Sequence, residues 1–388
     1  MIDQSRRLAA VQTPVIPIVS RWIAETPGTI SLGQGVVSYA PPPEAIAALA
    51  TFPASLGDHR YGDVEGEPAL IAAIEEKLAR ENGLVAAPDH RVVVTTGSNQ
   101  AFMAALLAVA DPDDEVILQA PYYFNHEMAI VMAGCRVVPV TTTREYQLDL
   151  DAIARAITPR TCAVVTVSPN NPTGAVYDEA SLRALNALCA ARGLFHIHDQ
   201  AYEYFTYGGA RPFSPASILG AAAHTISLFT MSKAYGMASW RIGWMVIPER
   251  LWEAVNKIQD TIAICPPLVS QHVALAALRV GAAYPRAHLG PLGRIREHAL
   301  TTLSASEVPC DVPTPDGAFY LFLRLHARGL DSMDVAERLI RGHRVAVIPG
   351  AAFGMTDGCY LRMSYGALEE ATAVEGVGRL AAGLKALG

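Results

Sequence analysis

The chain has 388 residues, of which 51% are hydrophobic and 17% are charged, and its net charge is −7. This length favours two or three domains, and the hydrophobic content is sufficient for large cores. The mild acidity and the scattered basic residues give no indication of nucleic-acid binding, and no stretch reaches the roughly 18 apolar residues of a membrane span.

The cysteines and the N-terminus indicate a cytoplasmic protein. The six cysteines lie far apart and lack the paired spacing that is typical of zinc sites. Isolated cysteines in a long chain are typical of a reduced, intracellular protein. The N-terminal segment has no continuous apolar core before a small-residue cleavage site, so no signal peptide is predicted.

Strands and helices alternate along the middle of the chain. Prolines punctuate the first 45 residues, which predicts an arm and a loop. From about residue 67, helical patterns such as "EPALIAAIEEKLARENG" and "SNQAFMAALLAVA" alternate with strand patterns such as "RVVVTTG", "DEVILQAP", "TCAVVTVSP", "LFHIHDQAY" and "HTISLFTMS". This alternation predicts an α/β fold with a mostly parallel central sheet and helices on both faces. Ligands of such sheets bind beyond the carboxyl ends of the strands.

The pattern changes after about residue 250. Two helical stretches are followed by the short strands "GAFYLFLRL", "RVAVIPG" and "CYLRMSYG" among further helices. We therefore expect residues 46–284 to form a large domain and residues 285–388 a smaller α+β domain. Residues 1–45 are expected to form an N-terminal arm and to complete the smaller domain.

Polar residues follow the strand that ends at Gly97. In "TTGSNQAF" a helix opens directly after this glycine. The free backbone N–H groups and the positive dipole end of this helix suit an anion such as phosphate, with Ser98 and Asn99 as donors. An ordinary N-capped helix explains the same residues when they are considered alone.

Two further stretches lie at strand ends. "APYYFNHE" places Tyr122, Tyr123 and Phe124 at the rim, where a flat aromatic side chain can stack on a planar ligand or simply seal a helix. "SPNNPTG" is a tight turn with the side-chain amides of Asn170 and Asn171, and its X-Pro bonds are candidates for the cis form. These residues are also ordinary turn formers.

A buried acid is expected in "HIHDQAYEYF". Asp199 ends an apolar strand, where an isolated charge is costly unless it is paired, so it could hold a protonated ring nitrogen. Tyr202, three residues later, could reach the same ligand. The stretch His196-x-His198-Asp199 also resembles a metal-ligand cluster. However, the two histidines share one strand face and Asp199 points to the other, so core histidines are the preferred interpretation.

The stretch "HTISLFTMSKAYGMASWRIGW" ends an apolar strand on Lys233. A desolvated lysine has a lowered pKa and becomes a nucleophile that can form a Schiff base. Thr230 and Ser232 supply hydroxyls nearby, and Arg241 supplies a charged fork that suits phosphate. A lysine and an arginine in a solvated loop are the alternative.

Together these parts match the chemistry of pyridoxal phosphate. This cofactor has a phosphate, an aromatic ring face, a pyridine nitrogen, a phenolic oxygen and an aldehyde, and each of these groups finds a partner in the set. Neither a metal site nor a nicotinamide site accounts for Lys233, Arg241 and Asp199 at once.

The order of "TGSNQA", "PYY", "NNPTG", "DQAY", "SK" and "RIG" resembles the class I and II aminotransferases, the fold-type-I pyridoxal-phosphate enzymes. The resemblance extends from about residue 30 to residue 366. It implies that Lys233 is joined covalently to pyridoxal 5'-phosphate and then acts as the acid–base, and that Asp199 pairs with the pyridinium nitrogen. It departs at Ser239, where the family usually has glycine.

The resemblance also implies the remaining site residues. Asn171 and Tyr202 would bond the phenolic oxygen, and Tyr123 would stack on the ring. The phosphate would be bound by Ser98, Asn99, Thr230, Ser232 and Arg241. Tyr61 in "YGDVEGEPAL" would reach the phosphate of a partner subunit, which implies a homodimer with shared sites. Arg362 in "CYLRMSYG" would grip the substrate α-carboxylate, and Gly35 in "LGQG" would offer backbone to the substrate.

Within this family the chain looks most similar to the branch that acts on aromatic amino acids and methionine. An apolar rim of Tyr39, Phe124 and Ile264 suits a hydrophobic side chain. We therefore expect ping-pong transfer of an amino group to a 2-oxo acid. The alternatives are an aspartate or kynurenine aminotransferase, a C–S or β-lyase on the same scaffold, and a non-enzymatic cofactor-binding module.

Overall fold

The computed structural model describes residues 5–85, 87–305, 308–326 and 329–387. The helices are α1 (Arg6–Ala10), α2 (Val15–Glu25), α3 (Pro43–Ala47), α4 (Pro68–Lys77), α5 (Ser98–Val109), α6 (Phe124–Met132), α7 (Leu150–Ala156), α8 (Glu179–Arg192), α9 (Met231–Ala234), α10 (Trp252–Ile262), α11 (Leu268–Val280), α12 (Ala283–Ala287), α13 (Leu289–Leu303), α14 (Ser332–His343) and α15 (Glu370–Lys385). The strands are β1 (Ile30–Ser31), β2 (His90–Thr95), β3 (Glu115–Ala120), β4 (Arg136–Thr141), β5 (Thr161–Val167), β6 (Phe195–Asp199), β7 (Thr225–Thr230), β8 (Gly243–Pro248), β9 (Cys310–Asp311), β10 (Tyr320–Leu325), β11 (Val345–Ala346), β12 (Ile348–Pro349) and β13 (Tyr360–Ser364). Among these helices, none is both long and apolar enough to cross a bilayer.

Seven strands form the central sheet, in the order β2-β8-β7-β6-β5-β3-β4. β8 runs antiparallel to both of its neighbours, and the other pairings are parallel. Strands β3, β7 and β8 are buried along their whole length. Continuous burial is typical of sheets that are covered on both faces by helices, so the predicted α/β fold is confirmed.

Local sequence explains how the helices begin and end. Asp178 caps α8 because its side chain accepts from the backbone N–H of Ser181 at 2.8 Å, and α8 ends at Gly193 in the left-handed conformation. A proline at the first position opens α4. Gly97 precedes α5 with a φ of 78°, a conformation that side-chain-bearing residues rarely adopt.

A second, four-stranded antiparallel sheet has the order β12-β13-β10-β9. Its strands enclose a separate core with α13, α14 and α15. The N-terminal segment joins this part of the molecule because β1 pairs in parallel with β11, with Ile30 opposite Val345. The domain boundaries at residues 45 and 284 stay a prediction.

Two features differ from the sequence-based expectation. The expected strand containing Thr230 and Met231 ends at Thr230, whose hydroxyl caps the short helix α9, so Lys233 lies on a helix rather than at a strand end. Strand β8, directly after Arg241, was not predicted. It is the one reversed strand of the seven-stranded sheet, and alternation of strands and crossover helices gives no signal for it.

Candidate active site

A cavity of about 340 Å³ lies beyond the carboxyl ends of β5, β6 and β7, facing β10 and β13 of the second sheet. This is where a parallel sheet is expected to bind its ligand. It is lined by Ile16, Gln34, Gly35, Val36, Ser98, Asn99, Tyr123, Phe124, Val167, Asn171, Asp199, Ala201, Tyr202, Thr230, Ser232, Lys233, Arg241, Tyr320 and Arg362. The residues expected to bind the cofactor or the substrate carboxylate line this cavity, with the exception of Tyr61.

Lys233 reaches the cavity from α9. Its Nζ donates to the backbone carbonyl of Gly35 at 2.6 Å. Burial lowers the pKa of Lys233 to about 8, and the positive charges of Arg362 and Arg241 act in the same direction, while Asp199 opposes them. Lys233 therefore has a larger fraction of the neutral, nucleophilic amine near physiological pH than an exposed lysine has.

Asp199 is held at the end of β6 by two contacts. Its Oδ1 accepts from the backbone N–H of Ala201 at 2.9 Å, and its Oδ2 lies 3.2 Å from Nε2 of His126. The ring of His126 stacks on Phe102 with 4.0 Å between centroids. The carboxylate is buried, and no lysine or arginine of the described residues forms an ion pair with it. An acid in this setting can stabilise a cationic ring nitrogen of a ligand.

A cradle for an anion lies at the start of α5. The helix presents its first N–H groups at Ser98, and a side chain on Gly97 would come within 2.5 Å of Nη2 of Arg241. Arg241 Nη1 also contacts the Ser232 hydroxyl at 3.5 Å, and the hydroxyl of Thr230 adjoins that of Ser232 at 2.9 Å. A helix N-terminus, two hydroxyls and a guanidinium together suit a phosphate group.

Tyr123 forms an aromatic wall of the cavity. Its hydroxyl accepts from Nδ2 of Asn125 at 2.8 Å and lies 3.5 Å from Oδ1 of Asn99. Burial raises the pKa of Tyr123 to about 12, so the hydroxyl remains protonated at neutral pH. These contacts hold the hydroxyl end of the side chain, and the ring face can stack on a planar ligand.

Arg362 projects from β13 and is only 3% exposed. Its Nη1 donates to Oδ1 of Asn171 at 3.0 Å and its Nη2 to the backbone carbonyl of Gly33 at 2.6 Å. Its Nε has no partner, and no carboxylate of the described residues forms an ion pair with this guanidinium. A buried cation with an unpartnered donor favours binding of an anionic ligand group, such as a carboxylate.

The turn "SPNNPTG" follows β5. The peptide bonds Ser168–Pro169 and Asn171–Pro172, which the sequence marked as candidates for the cis form, are both cis. Asn170 braces the turn because its Oδ1 accepts from both the backbone N–H and the hydroxyl of Thr173. Asn171 is thereby left to face the cavity and Arg362.

The expected apolar rim is only partly correct. Phe124 lines the cavity, but Tyr39 and Ile264 do not. The hydroxyl of Tyr39 instead donates to the backbone carbonyl of Lys233 at 3.0 Å, and its ring stacks on His288 at 3.7 Å. The apolar residues that do line this part of the cavity are Ile16, Val36 and Phe124.

Other sequence-based expectations concern residues around the cavity. Tyr61 is 79% exposed and does not line the cavity. Ser239 lies in a 3₁₀ turn that still delivers Arg241 to the cavity. His196 and His198 both contact the hydroxyl of Thr166, at 2.8 and 2.7 Å, on the strand face opposite Asp199. They are core histidines of the sheet.

Besides the apolar lining residues Ile16 and Val36, sequence reasoning missed His126 and Tyr320, which contact predicted site residues. His126 lies on α6, three positions after the N-cap residue Tyr123, so helical spacing could have identified it. Tyr320 comes from the second sheet, and no motif in the sequence connects it with Tyr202.

Comparisons with known proteins agree with this geometry. The family model described as aminotransferase class I and II matches residues 27–380. An aromatic aminotransferase of Arabidopsis thaliana is 34% identical, over 99% of this chain and 96% of that protein. A probable aspartate/prephenate aminotransferase of Aquifex aeolicus is 36% identical, over 84% of this chain and 83% of that protein.

A similar fold is found among solved structures. A double mutant of the aspartate aminotransferase of Thermus thermophilus superposes with a TM-score of 0.91 at 32% identity. The match covers 99% of this chain and 100% of that chain. The fold described above is therefore the fold of these aminotransferases over the whole described chain.

Proposed function

Because the chain belongs to the class I and II aminotransferase family, whose members depend on pyridoxal phosphate, we propose that this cofactor binds in the cavity on Lys233. The protein would then transfer amino groups of apolar amino acids. The observation that carries the proposal is the partly buried Lys233, which shares the cavity with Arg241 and Arg362 and donates to the carbonyl of Gly35. Its lowered pKa is consistent with this position.

The residues of the cavity fit this cofactor group by group. The N-terminus of α5, Thr230, Ser232 and Arg241 would bind the phosphate, and Asp199 would bind the ring nitrogen. Tyr123 would cover the ring, and Asn171 and Tyr202 would bond its phenolic oxygen. When bound, pyridoxal phosphate supplies a ring system that accepts the electron pair released at the α-carbon of an amino acid.

The chain's own residues provide the rest of the chemistry. Lys233 would supply the nucleophile and then move a proton between the two carbons that exchange the amino group. Arg362 would orient the amino acid by its α-carboxylate through the fork that has a free Nε. Gly35, whose carbonyl accepts from Lys233, would hold the displaced amine close to the reacting atoms.

The substrate side of the cavity favours an apolar side chain. Ile16, Val36 and Phe124 line it, and the two arginines that the described chain contributes to the cavity, Arg241 and Arg362, are assigned to the phosphate and the α-carboxylate. A second substrate carboxylate would lose hydration there without a paired cation. We therefore propose phenylalanine, tyrosine, tryptophan or methionine as donors. Aspartate remains the second candidate, since relatives named for aspartate share 33–36% identity.

A single-turnover panel tests the donor class. The purified protein loaded with pyridoxal phosphate is mixed with phenylalanine, methionine or aspartate without any oxo acid, and the loss of visible absorbance is followed. We expect second-order rates roughly 10²-fold higher for phenylalanine than for aspartate, because the apolar rim does not repay the desolvation of a second carboxylate. Equal rates, or a preference for aspartate, would contradict the proposed donor class. Ammonia and pyruvate released from a cysteine conjugate without an oxo acid would instead favour a lyase.

We also propose a homodimer in which Tyr61 serves the site of the partner subunit, and cytoplasm as its location. The support is the exposed segment that carries both Leu56, 73% exposed, and Tyr61, 79% exposed and five positions later in the chain. Large exposed apolar side chains in one region are typical of an interface. Sedimentation equilibrium at micromolar concentration is expected to give a mass near twice 41.4 kDa. A monomer that turns over at full rate would contradict shared sites.

A further inference from the structure

Tyr320 lies where the two sheets of the molecule meet at the cavity. It is the first residue of β10 and is fully buried. On the neighbouring strand, β13, its register partner is Ser364, and Arg362 pairs with Phe322 two residues further along β10. The side chains of Tyr320 and Arg362 therefore lie on the same face of this sheet, and both line the cavity.

Three contacts of Tyr320 involve groups that serve the reaction. Its hydroxyl lies 2.7 Å from the hydroxyl of Tyr202. The guanidinium carbon of Arg362 lies 4.7 Å from the centre of its ring. Its hydroxyl also faces the backbone of Gly35 so closely that a Cβ there would come within 2.5 Å of it.

We infer that Tyr320 is a positioning residue that sets the hydrogen bond of Tyr202 to the cofactor and the orientation of Arg362 toward the substrate carboxylate. The inference rests on the proposed function. The hydroxyl of Tyr320 would act on Tyr202, and its ring would act on Arg362.

The effect of the Tyr320 hydroxyl on Tyr202 depends on which hydroxyl donates the hydrogen bond between them. Burial raises the pKa of both Tyr202 and Tyr320, so both stay protonated, while the charged or titratable groups facing them are Arg362 and Tyr123. A hydroxyl carries one proton, so when Tyr202 donates to the phenolic oxygen of the cofactor, its own oxygen accepts from Tyr320. A donated hydrogen bond polarises Tyr202 and strengthens the bond that it makes in turn.

The ring task follows from the surroundings of Arg362. The guanidinium carbon lies 4.7 Å from the centre of the Tyr320 ring and 5.0 Å from that of the Phe353 ring. Cation–π attraction to both rings holds the guanidinium in this position. Its two terminal nitrogens are fixed by Asn171 and Gly33. The orientation of the guanidinium is therefore fixed, and its free Nε can donate to a substrate carboxylate in the cavity.

Tyr320→Phe removes the hydroxyl and keeps the ring. The measured quantity is the midpoint pH of the change in visible absorbance of the protein loaded with pyridoxal phosphate. This midpoint reports loss of the proton shared by the phenolic oxygen and the Lys233 nitrogen. A weaker hydrogen bond from Tyr202 stabilises the ionised phenolic oxygen less, so the proton is held to higher pH. We expect this midpoint to rise by about half a pH unit to one pH unit, the effect of one net hydrogen bond.

Two controls separate this effect from a general loss of structure. Tyr365→Phe removes the hydroxyl of another buried tyrosine, which contacts the carbonyl of Ala318 and does not line the cavity, and it is expected to leave the midpoint unchanged. In a Tyr202→Phe background, Tyr320→Phe is expected to add no further shift, because it acts through Tyr202.

Tyr320→Leu tests the ring. The dissociation constant of 3-phenylpropionate, a substrate-like monocarboxylate, is expected to rise about threefold to tenfold in Tyr320→Leu and to change little in Tyr320→Phe. A wild-type midpoint in Tyr320→Phe, or an equal shift in the Tyr202→Phe background, would overturn the inference. A wild-type protein that binds no cofactor at all would refute the proposed function, and this inference with it.

Discussion

Lys233→Ala is expected to abolish amino-group transfer, with a loss of roughly 10⁴-fold or more in kcat. The substitution removes both the nucleophile that holds the cofactor and the base that moves the proton. No other lysine lines the cavity in the described part of the chain, so no neighbouring amine can substitute for it. The measurement is steady-state transamination of phenylalanine with a 2-oxo acid, alongside the visible absorbance spectrum.

The matched control for Lys233 is Lys257→Ala. Lys257 is an exposed lysine on α10 that pairs with Glu253 one helical turn earlier, and surface pairs of this kind contribute little to stability. It is expected to retain wild-type activity. An unchanged absorbance spectrum and wild-type turnover in Lys233→Ala would remove Lys233 from its assigned role.

Arg362→Lys is expected to lower kcat/KM for amino acids by roughly 10²-fold to 10³-fold, mostly through KM. Lysine keeps the positive charge but loses the planar fork, so it cannot bond the α-carboxylate while also bonding Asn171 and the carbonyl of Gly33. The amino acid would then bind without a fixed orientation. Steady-state kinetics with phenylalanine measures the effect.

The control for Arg362 is Arg324→Lys, since Arg324 lies on the adjacent strand but is exposed and does not line the cavity. We expect Arg324→Lys to leave kcat/KM unchanged. Affinity for pyridoxal phosphate, measured by absorbance titration of the apoprotein, is expected to change little in Arg362→Lys. A variant that loses cofactor affinity while KM for phenylalanine stays normal would place Arg362 at the cofactor instead.

The central sheet and most of the cavity residues could be predicted because each is encoded locally. Apolar runs with flanking turn residues predict the strands, and polar residues directly after a parallel strand fall at the same edge of the sheet. Asp199 at the end of β6 and Ser98 shortly after β2 are examples. The geometry of adjacent elements then brings these residues together.

The contacts between distant segments could not be predicted in this way. Tyr202 and Tyr320 lie 118 positions apart, and Gly35 and Lys233 lie 198 positions apart. Their meeting depends on how the second sheet packs against the first, which no local pattern specifies. The prediction that Tyr39 lines the apolar rim was wrong for the same reason. Its hydroxyl donates to the backbone carbonyl of Lys233, and the side chain does not line the cavity.

The most direct test of the account is one complete cycle in two halves. Protein loaded with pyridoxal phosphate is mixed with one equivalent of phenylalanine, and a 2-oxo acid is added after the first change is complete. We expect loss of the visible band, its full recovery on addition of the oxo acid, and no free ammonia. A band that does not respond to phenylalanine, or ammonia released in place of recovery, would contradict it.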